Sequence, residues 1–359
     1  MKNLLLGTIS GLALTLAAGA AQAQDDPCGS GETIVKFSHV VAAQGHPKGE
    51  AAQLLADRVN EEMDGKLCMQ VFPNSTLYDD DKVMESLLLG DVQLAAPSLS
   101  KFEAYTSKLR LYDLPFLFPT LADANHYLAS DNAKDLLSVL QDEGYEGLGY
   151  ISSGLKQFSA NKPLVMPEDA AGLKFRVQTS DVAVAMIEAL KASAQKLAFK
   201  EVYGALQQGV VDGQENSWCN TYTQKFFEVQ DGITETNHQL LAYALITSQD
   251  FLDSLDDDVR EQFLTIVNET LADANNKVAQ QEDECRTQIA NAGSEIRKLT
   301  PEQREAWVTV MKPVWDQFRN DIGADVIDAA VVMNGTADTQ STDAAAATGA
   351  SGSASTTAN

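Results

Sequence analysis

Apolar residues recur along this chain with two different periods, and each change of period marks an element. Residues 32–40 alternate apolar and polar side chains and are rich in strand formers, so they read as a strand. Over 46–63 the spacing of Ala51, Leu54, Leu55 and Val59 is helical. Residues 67–72 read as a second strand ending at the Pro73-Asn74 turn, 80–89 as a helix stopped by Gly90, and 92–96 as a short apolar strand. Strand, helix, strand, helix, strand in close succession predicts a parallel sheet with helices on its faces.

The second half repeats this logic. Segments 147–152, 157–160 and 173–176 read as strands, 181–190 as a helix, and 194–198 as a strand. Residues 201–209 form a short helix ending at Gly209, 211–215 take a strand-like position, and 242–248 is a buried strand. Long helical patterns cover 256–299 and 301–322. The expected fold is α/β with two lobes and a long late helix. Lobe I spans 24–152 and lobe II 153–245, while 246–333 holds a return strand and the bracing helices.

The ends read differently. Lys2, an apolar run over 4–18 and Ala21-Gln22-Ala23 have the pattern of a cleaved secretory leader, 1–23, too short for a comfortable membrane span. No later segment reaches that length, so no insertion of the mature chain into a membrane is expected. Residues 334–359 are almost all Gly, Ala, Ser, Thr and Asp, without an aromatic side chain. Such a segment buries too little apolar surface to offset its ordering entropy, and disorder is expected.

Charge narrows the partners. The chain carries 26 basic and 51 acidic residues, a net charge of −25. That argues against nucleic acid and anionic membrane surfaces. It leaves a small anionic ligand open, because local cations govern a pocket and salt screens the distant surface. Four cysteines in an exported chain imply disulfides, with three possible pairings. Cys28 and Cys68 each lie at the start of an expected strand, which favours Cys28 with Cys68 and therefore Cys219 with Cys285.

No nucleophile elbow, phosphate loop, dinucleotide fingerprint or zinc-protease motif occurs. His39, His46, His126 and His238 are scattered, with no metal-binding spacing. No cofactor or metal ion is expected, and no catalytic residue stands out. Cations and amides beside strand ends do stand out. Lys48 opens the first helix, Ser98 and Lys101 follow the third strand, Lys156 sits between two strands, and Arg176 ends an apolar strand. Asn216 and Asn220 come after Asp212-Gly213-Gln214-Glu215. Parallel α/β sheets bind ligands at the carboxyl ends of their strands. An Arg there grips a carboxylate with two parallel hydrogen bonds, and Asn donates to the same anion.

With these residues in place the chain resembles the solute-binding subunits of TRAP (tripartite ATP-independent periplasmic) transporters, in particular the C4-dicarboxylate-binding DctP group. The resemblance rests on Lys36-Phe-Ser-His-Val-Val41, Pro47-Lys-Gly49, Ala96-Pro-Ser98 with Lys101-Phe102, and Asp113-Leu-Pro-Phe116. Ser159-Ala-Asn-Lys-Pro163, Gly172-Leu-Lys-Phe-Arg-Val-Gln-Thr-Ser180 and Asp212-Gly-Gln-Glu-Asn216 continue it. It implies a clamshell periplasmic binding protein whose lobes close over one small organic acid. It also implies delivery to small and large TRAP membrane subunits, with no enzymatic activity. Arg176 is the expected salt-bridge partner of the substrate carboxylate, Asn216 its hydrogen-bond donor, Lys156 a second basic group and Phe199 an aromatic neighbour. Lys48, Ser98 and Lys101 are candidates for the distal carboxylate. Cys219 and Lys156-Gln157-Phe158 depart from the family pattern. A C4-dicarboxylate is expected, with a 2-oxo acid, a monocarboxylate or a sugar acid as alternatives. A periplasmic enzyme and a sensory ligand-presenting protein are the readings from other classes.

Overall fold

A computed structural model describes residues 28–335. Strands β1 (Thr33–Ser38), β2 (Leu67–Phe72) and β3 (Leu94–Ala95) run parallel in the spatial order β2-β1-β3. This sheet is completed by β10 (Leu240–Ser248) and β4 (Tyr145–Leu155), both antiparallel to their neighbours. On one face Val35, Phe37 and Leu94 meet Ala52, Leu55 and Val59 of the helix Pro47–Glu62 and Phe263 of the helix Asp257–Asn275. The other face packs Ala242, Ala244 and Ile246 against Leu111, Tyr112 and Tyr127. With both faces covered, β10 is buried at every position, which explains its apolar run from Leu240 to Ile246.

The second sheet has the order β11-β9-β5-β8-β6-β7. It comprises β5 (Gln157–Ala160), β6 (Lys174–Val177), β7 (Ser193–Lys196), β8 (Gly213–Asn216), β9 (Gly232–Glu235) and β11 (Glu295–Lys298). Its parallel strands β7-β6-β8 repeat the order of β2-β1-β3. Each lobe therefore has a point where the connections leave in opposite directions, and the carboxyl strand ends around it form a crevice.

Two short crossings join the sheets directly, and the chain returns to the second sheet at β11 through its late helices. Lys156 alone separates β4 from β5, and residues 236–239 separate β9 from β10. The crossings are bonded to each other, Lys156 N–H to Gln239 O at 2.7 Å and His238 N–H to Lys156 O at 3.2 Å. The sequence reading put the first lobe boundary at 152/153; the strands cross at Lys156. Two helices brace the lobes. Asp257–Asn275 packs on lobe I, and Val278–Asn291 packs on the lobe II helix Trp218–Thr223. The disulfide Cys219–Cys285 joins the latter pair, and Cys28–Cys68 ties the first residues to β2. Gly154 lies just ahead of the crossing with φ +88°, where an added Cβ would stand 2.5 Å from the Glu282 carboxylate. Only glycine satisfies both constraints.

Several expectations change. The sheets are mixed, because the return through β10 and the long β4 add antiparallel strands. The helix expected over 256–299 breaks at Asn276 and ends before Gly293, and Glu295–Lys298 pairs with β9 as an edge strand. Its Glu, Arg and Lys favour helix locally, but the open edge of β9 overrides that preference. The helix expected from residue 80 starts at Val83, because Asp80 and Asp81 are held by Ser98 N–H and Lys101. Helices Leu121–Leu128, Asp131–Leu137 and Trp218–Thr223 were not expected, although Thr120, Ser130 and Ser217 cap them. Asn334 and Gly335, placed in the tail above, bond to Leu117 O and the Asp123 carboxylate. The leader and the rest of the tail lie outside the described residues. No helix among those described is long and apolar enough to cross a membrane.

Candidate binding site

Arg176 lies on β6 between Phe175 and Val177, which are buried in the lobe II core with Phe158 and Trp307. Strand alternation sends the arginine to the opposite face. Its side chain is 1% exposed. Nε and Nη2 both donate to Leu197 O, at 3.0 and 2.8 Å. Nη1 is buried and has no acceptor among the described residues. Burial pulls the guanidinium down from 12.5 to about 10 against the attraction of Glu215, so it stays charged at neutral pH. A clamped guanidinium with a spare N–H edge is a preorganised carboxylate site.

Asn216 reaches the same place by register. Arg176 pairs with Gln214 across β6 and β8, and Asn216 is two residues further along, on the same face. Its Nδ2 donates to Gln214 Oε1 at 2.7 Å, and its Oδ1 accepts from Asn220 Nδ2 at 2.7 Å.

Lobe I supplies the opposing wall. Lys48 is buried in the first turn of its helix, with Nζ donating to Ala96 O at 2.9 Å and standing 3.6 Å over the Tyr243 ring. Burial lowers its pKa from 10.5 to about 8, against the pull of Asp80. The same Asp80 acts on Arg176, so one carboxylate lies within electrostatic reach of both cations. Ser38 Oγ, both ring nitrogens of His39 and Ser152 Oγ are buried without hydrogen-bond partners among the described residues. Burial and Lys48 together hold His39 neutral, at about 3.

The lobes are shut. Ser98 and Ser100 donate to Gln178 Oε1, each at 3.2 Å, and Ser180 donates to Asp113 at 2.7 Å. His46 meets Asn220 at 2.8 Å, Lys101 meets Thr179 at 2.9 Å, and the pairs Lys196–Glu103 and Lys200–Asp79 cross the rim.

A family model described as bacterial extracellular solute-binding protein, family 7 (DctP), matches residues 37–321. The chain belongs to that family. It is 53% identical to the C4-dicarboxylate-binding periplasmic protein DctP of Vibrio cholerae, over 93% of this chain and 99% of that protein. A crystal structure of a Shewanella oneidensis TRAP periplasmic solute-binding protein with bound succinate is 45% identical, with a TM-score of 0.83 over 84% of this chain and 99% of that one. A Pseudomonas aeruginosa counterpart with bound L-malate is 40% identical, with a TM-score of 0.78 over 79% and 99%.

Within this family 7 fold, the residues singled out from the sequence divide into groups. Arg176 and Asn216 share one face of adjacent strands, Lys48 and Arg176 both lie within reach of Asp80, and Ser98 donates to Gln178 across the lobes. Lys156 lies in the hinge with its ammonium 2.9 Å from Glu215, 2.8 Å from Gln239 and 3.2 Å from Gln178, so all three donors have protein acceptors. Burial alone would raise Glu215, but Lys156 and then His238 bring its pKa below the ordinary value. Lys101 is held at the rim by Asp81 at 2.6 Å as well as by Thr179. Phe199 is half-buried, edge-on to Phe226 at 5.9 Å. Asn220 bonds to Asn216 and His46 rather than pointing alone into the cleft. Sequence reasoning missed Gln178, Glu215, His46 and Tyr243. Gln178 was within reach of strand alternation, being two residues beyond Arg176; Tyr243 carries no local signal inside an apolar strand.

Proposed function

We propose that this family 7 protein captures a C4-dicarboxylate in the periplasm and delivers it to the membrane subunits of a TRAP-type transporter. The observation that carries the reading is Arg176, buried between the lobes with one amino group lacking a protein acceptor. Asn216 stands beside it on the next strand, and Lys48, in lobe I, lies within reach of the same Asp80 carboxylate as Arg176. One cationic centre in each lobe suits an acid with a carboxylate at each end. The first docks on Arg176 and Asn216, the second on Lys48 with Ser98, and closing removes water from both, which strengthens each pairing. Lys156 holds Gln178 and Glu215 in place behind the anion, while Lys101 and Phe199 border the cleft. The bound structures of the relatives, with succinate and L-malate, support the same ligand class.

The ligand is bound and released unchanged. A calorimetric panel of succinate, L-malate, fumarate, 2-oxo acids, monocarboxylates and sugar acids tests the class. The C4-dicarboxylates are expected to bind tightest, and a sugar acid or monocarboxylate binding more tightly than all of them overturns the assignment. Proton NMR of the ligand after long incubation is expected to show no new species; turnover would make the protein an enzyme.

A further inference from the structure

A run of polar side chains crosses the closed cleft to Asn216, and its donors and acceptors can be assigned one by one. His46 caps the helix Pro47–Glu62, and its Nδ1 accepts the Lys48 backbone N–H at 3.1 Å. Nδ1 therefore carries the lone pair, and the proton of the neutral ring sits on Nε2. Nε2–H donates across the cleft to Asn220 Oδ1 at 2.8 Å. With its oxygen used as acceptor, Asn220 gives its amide N–H to Asn216 Oδ1 at 2.7 Å. Asn216 is thereby turned so that its NH2 lies on the side of Gln214, the register partner of Arg176. One N–H goes to Gln214 and a second remains. The lobe II end of this chain is rigid: Glu282 accepts the N–H groups of Trp218 and Cys219 at 2.9 and 3.0 Å, and Cys219–Cys285 bonds the same turn to the bracing helix.

We propose that His46 and Asn220 are positioning residues of the anion site, the hydrogen bond they form on closing being what aims the Asn216 amide N–H at the bound carboxylate. This rests on the reading of Arg176 and Asn216 as that site. The chain requires a neutral imidazole, since a proton on Nδ1 would oppose the Lys48 N–H. The groups around the ring are Lys48 on its own helix, His39 at the end of β1, Tyr243 on β10 and Asn220 opposite. Burial and Lys48 drive the ring well below its usual pKa in the closed form. With the lobes apart Nε2 is returned to water, so burial opposes protonation of the ring less than in the closed form. Closing in acid then expels a proton, and affinity falls as the pH is lowered from 7.5 to 5.5.

Calorimetry with succinate at both pH values, on the full chain and on His46→Gln and Asn220→Ala, tests this, with thermal unfolding of each ligand-free protein. The wild-type affinity is expected to drop at least about twofold more on acidification than that of His46→Gln, the ligand's own protonation being common to both. Both variants are expected to bind at least about fivefold more weakly at pH 7.5, the equivalent of one hydrogen bond. Identical pH profiles for wild type and His46→Gln, or wild-type affinity in Asn220→Ala, overturn the proposal. A role in folding alone would lower the unfolding midpoint without moving the pH profile. Wild-type affinity in Arg176→Ala is a separate failure, that of the site itself.

Discussion

Replacing Arg176 by Met separates binding from folding. The guanidinium is wholly buried, and the closed fold lowers its pKa from 12.5 to about 10. That difference corresponds to about 3 kcal/mol of unfavourable desolvation in the absence of an anion. Leu197 O takes two of its N–H groups, and Nη1 has no partner among the described residues. A bound carboxylate supplies the missing counter-charge. Without the arginine it would be buried against Asn216 and Lys48 only, a loss of about 2–5 kcal/mol. Affinity for succinate in Arg176→Met is therefore expected to fall by about 30-fold to a few thousand-fold. Arg176→Lys, which keeps the charge but loses the paired N–H geometry, should fall between the two. Isothermal calorimetry measures the affinity, and scanning calorimetry of the ligand-free proteins measures the midpoint. The midpoint of Arg176→Met is expected to match or exceed that of wild type, because the substitution removes a desolvated charge. Unchanged affinity refutes the site assignment; weaker binding with a collapsed midpoint refutes the claim that Arg176 serves the ligand rather than the fold.

Other outcomes follow from the same geometry. Lys48→Met should weaken C4-dicarboxylates at least about tenfold by calorimetry while leaving monocarboxylates nearly unaffected, since it removes only the second cationic centre. Removing Cys219–Cys285 by a double Ser substitution should cost up to about 4 kcal/mol in denaturant unfolding, from the 66-residue separation that it closes. Gly154→Ala, with φ +88° and a Cβ 2.5 Å from the Glu282 carboxylate, should destabilise by about 1–3 kcal/mol in the same assay.

The strands β1, β2 and β5 and the helix Pro47–Glu62 were legible because each carries its own period and its own stop: alternation before Pro73, helical spacing after the capping His46. Glu295–Lys298 was not, since nothing in four residues of helix-favouring composition shows that a neighbouring strand edge is open. Arg176 was legible as a candidate because a cation at the end of an apolar strand has few structural uses, and Asn216 because an amide follows Asp212-Gly213-Gln214-Glu215 at a strand end. Lys156 looked equivalent to them, and only the folded hinge engages all its donors with Glu215, Gln178 and Gln239.

The amino-acid sequence alone determined most of the strands and the first helix, the α/β class and which strand ends carry charge, since these follow from local period, turn residues and side-chain chemistry. Tertiary structure decided which of those charges remain unengaged. Whether a lysine or arginine has a spare donor depends on acceptors brought to it from strands and helices tens of residues away, and that is a property of packing. The His46–Asn220–Asn216 chain belongs to this second class: its members are 174 and four residues apart, and only closure of the lobes gives the imidazole Nε2 its Asn220 partner.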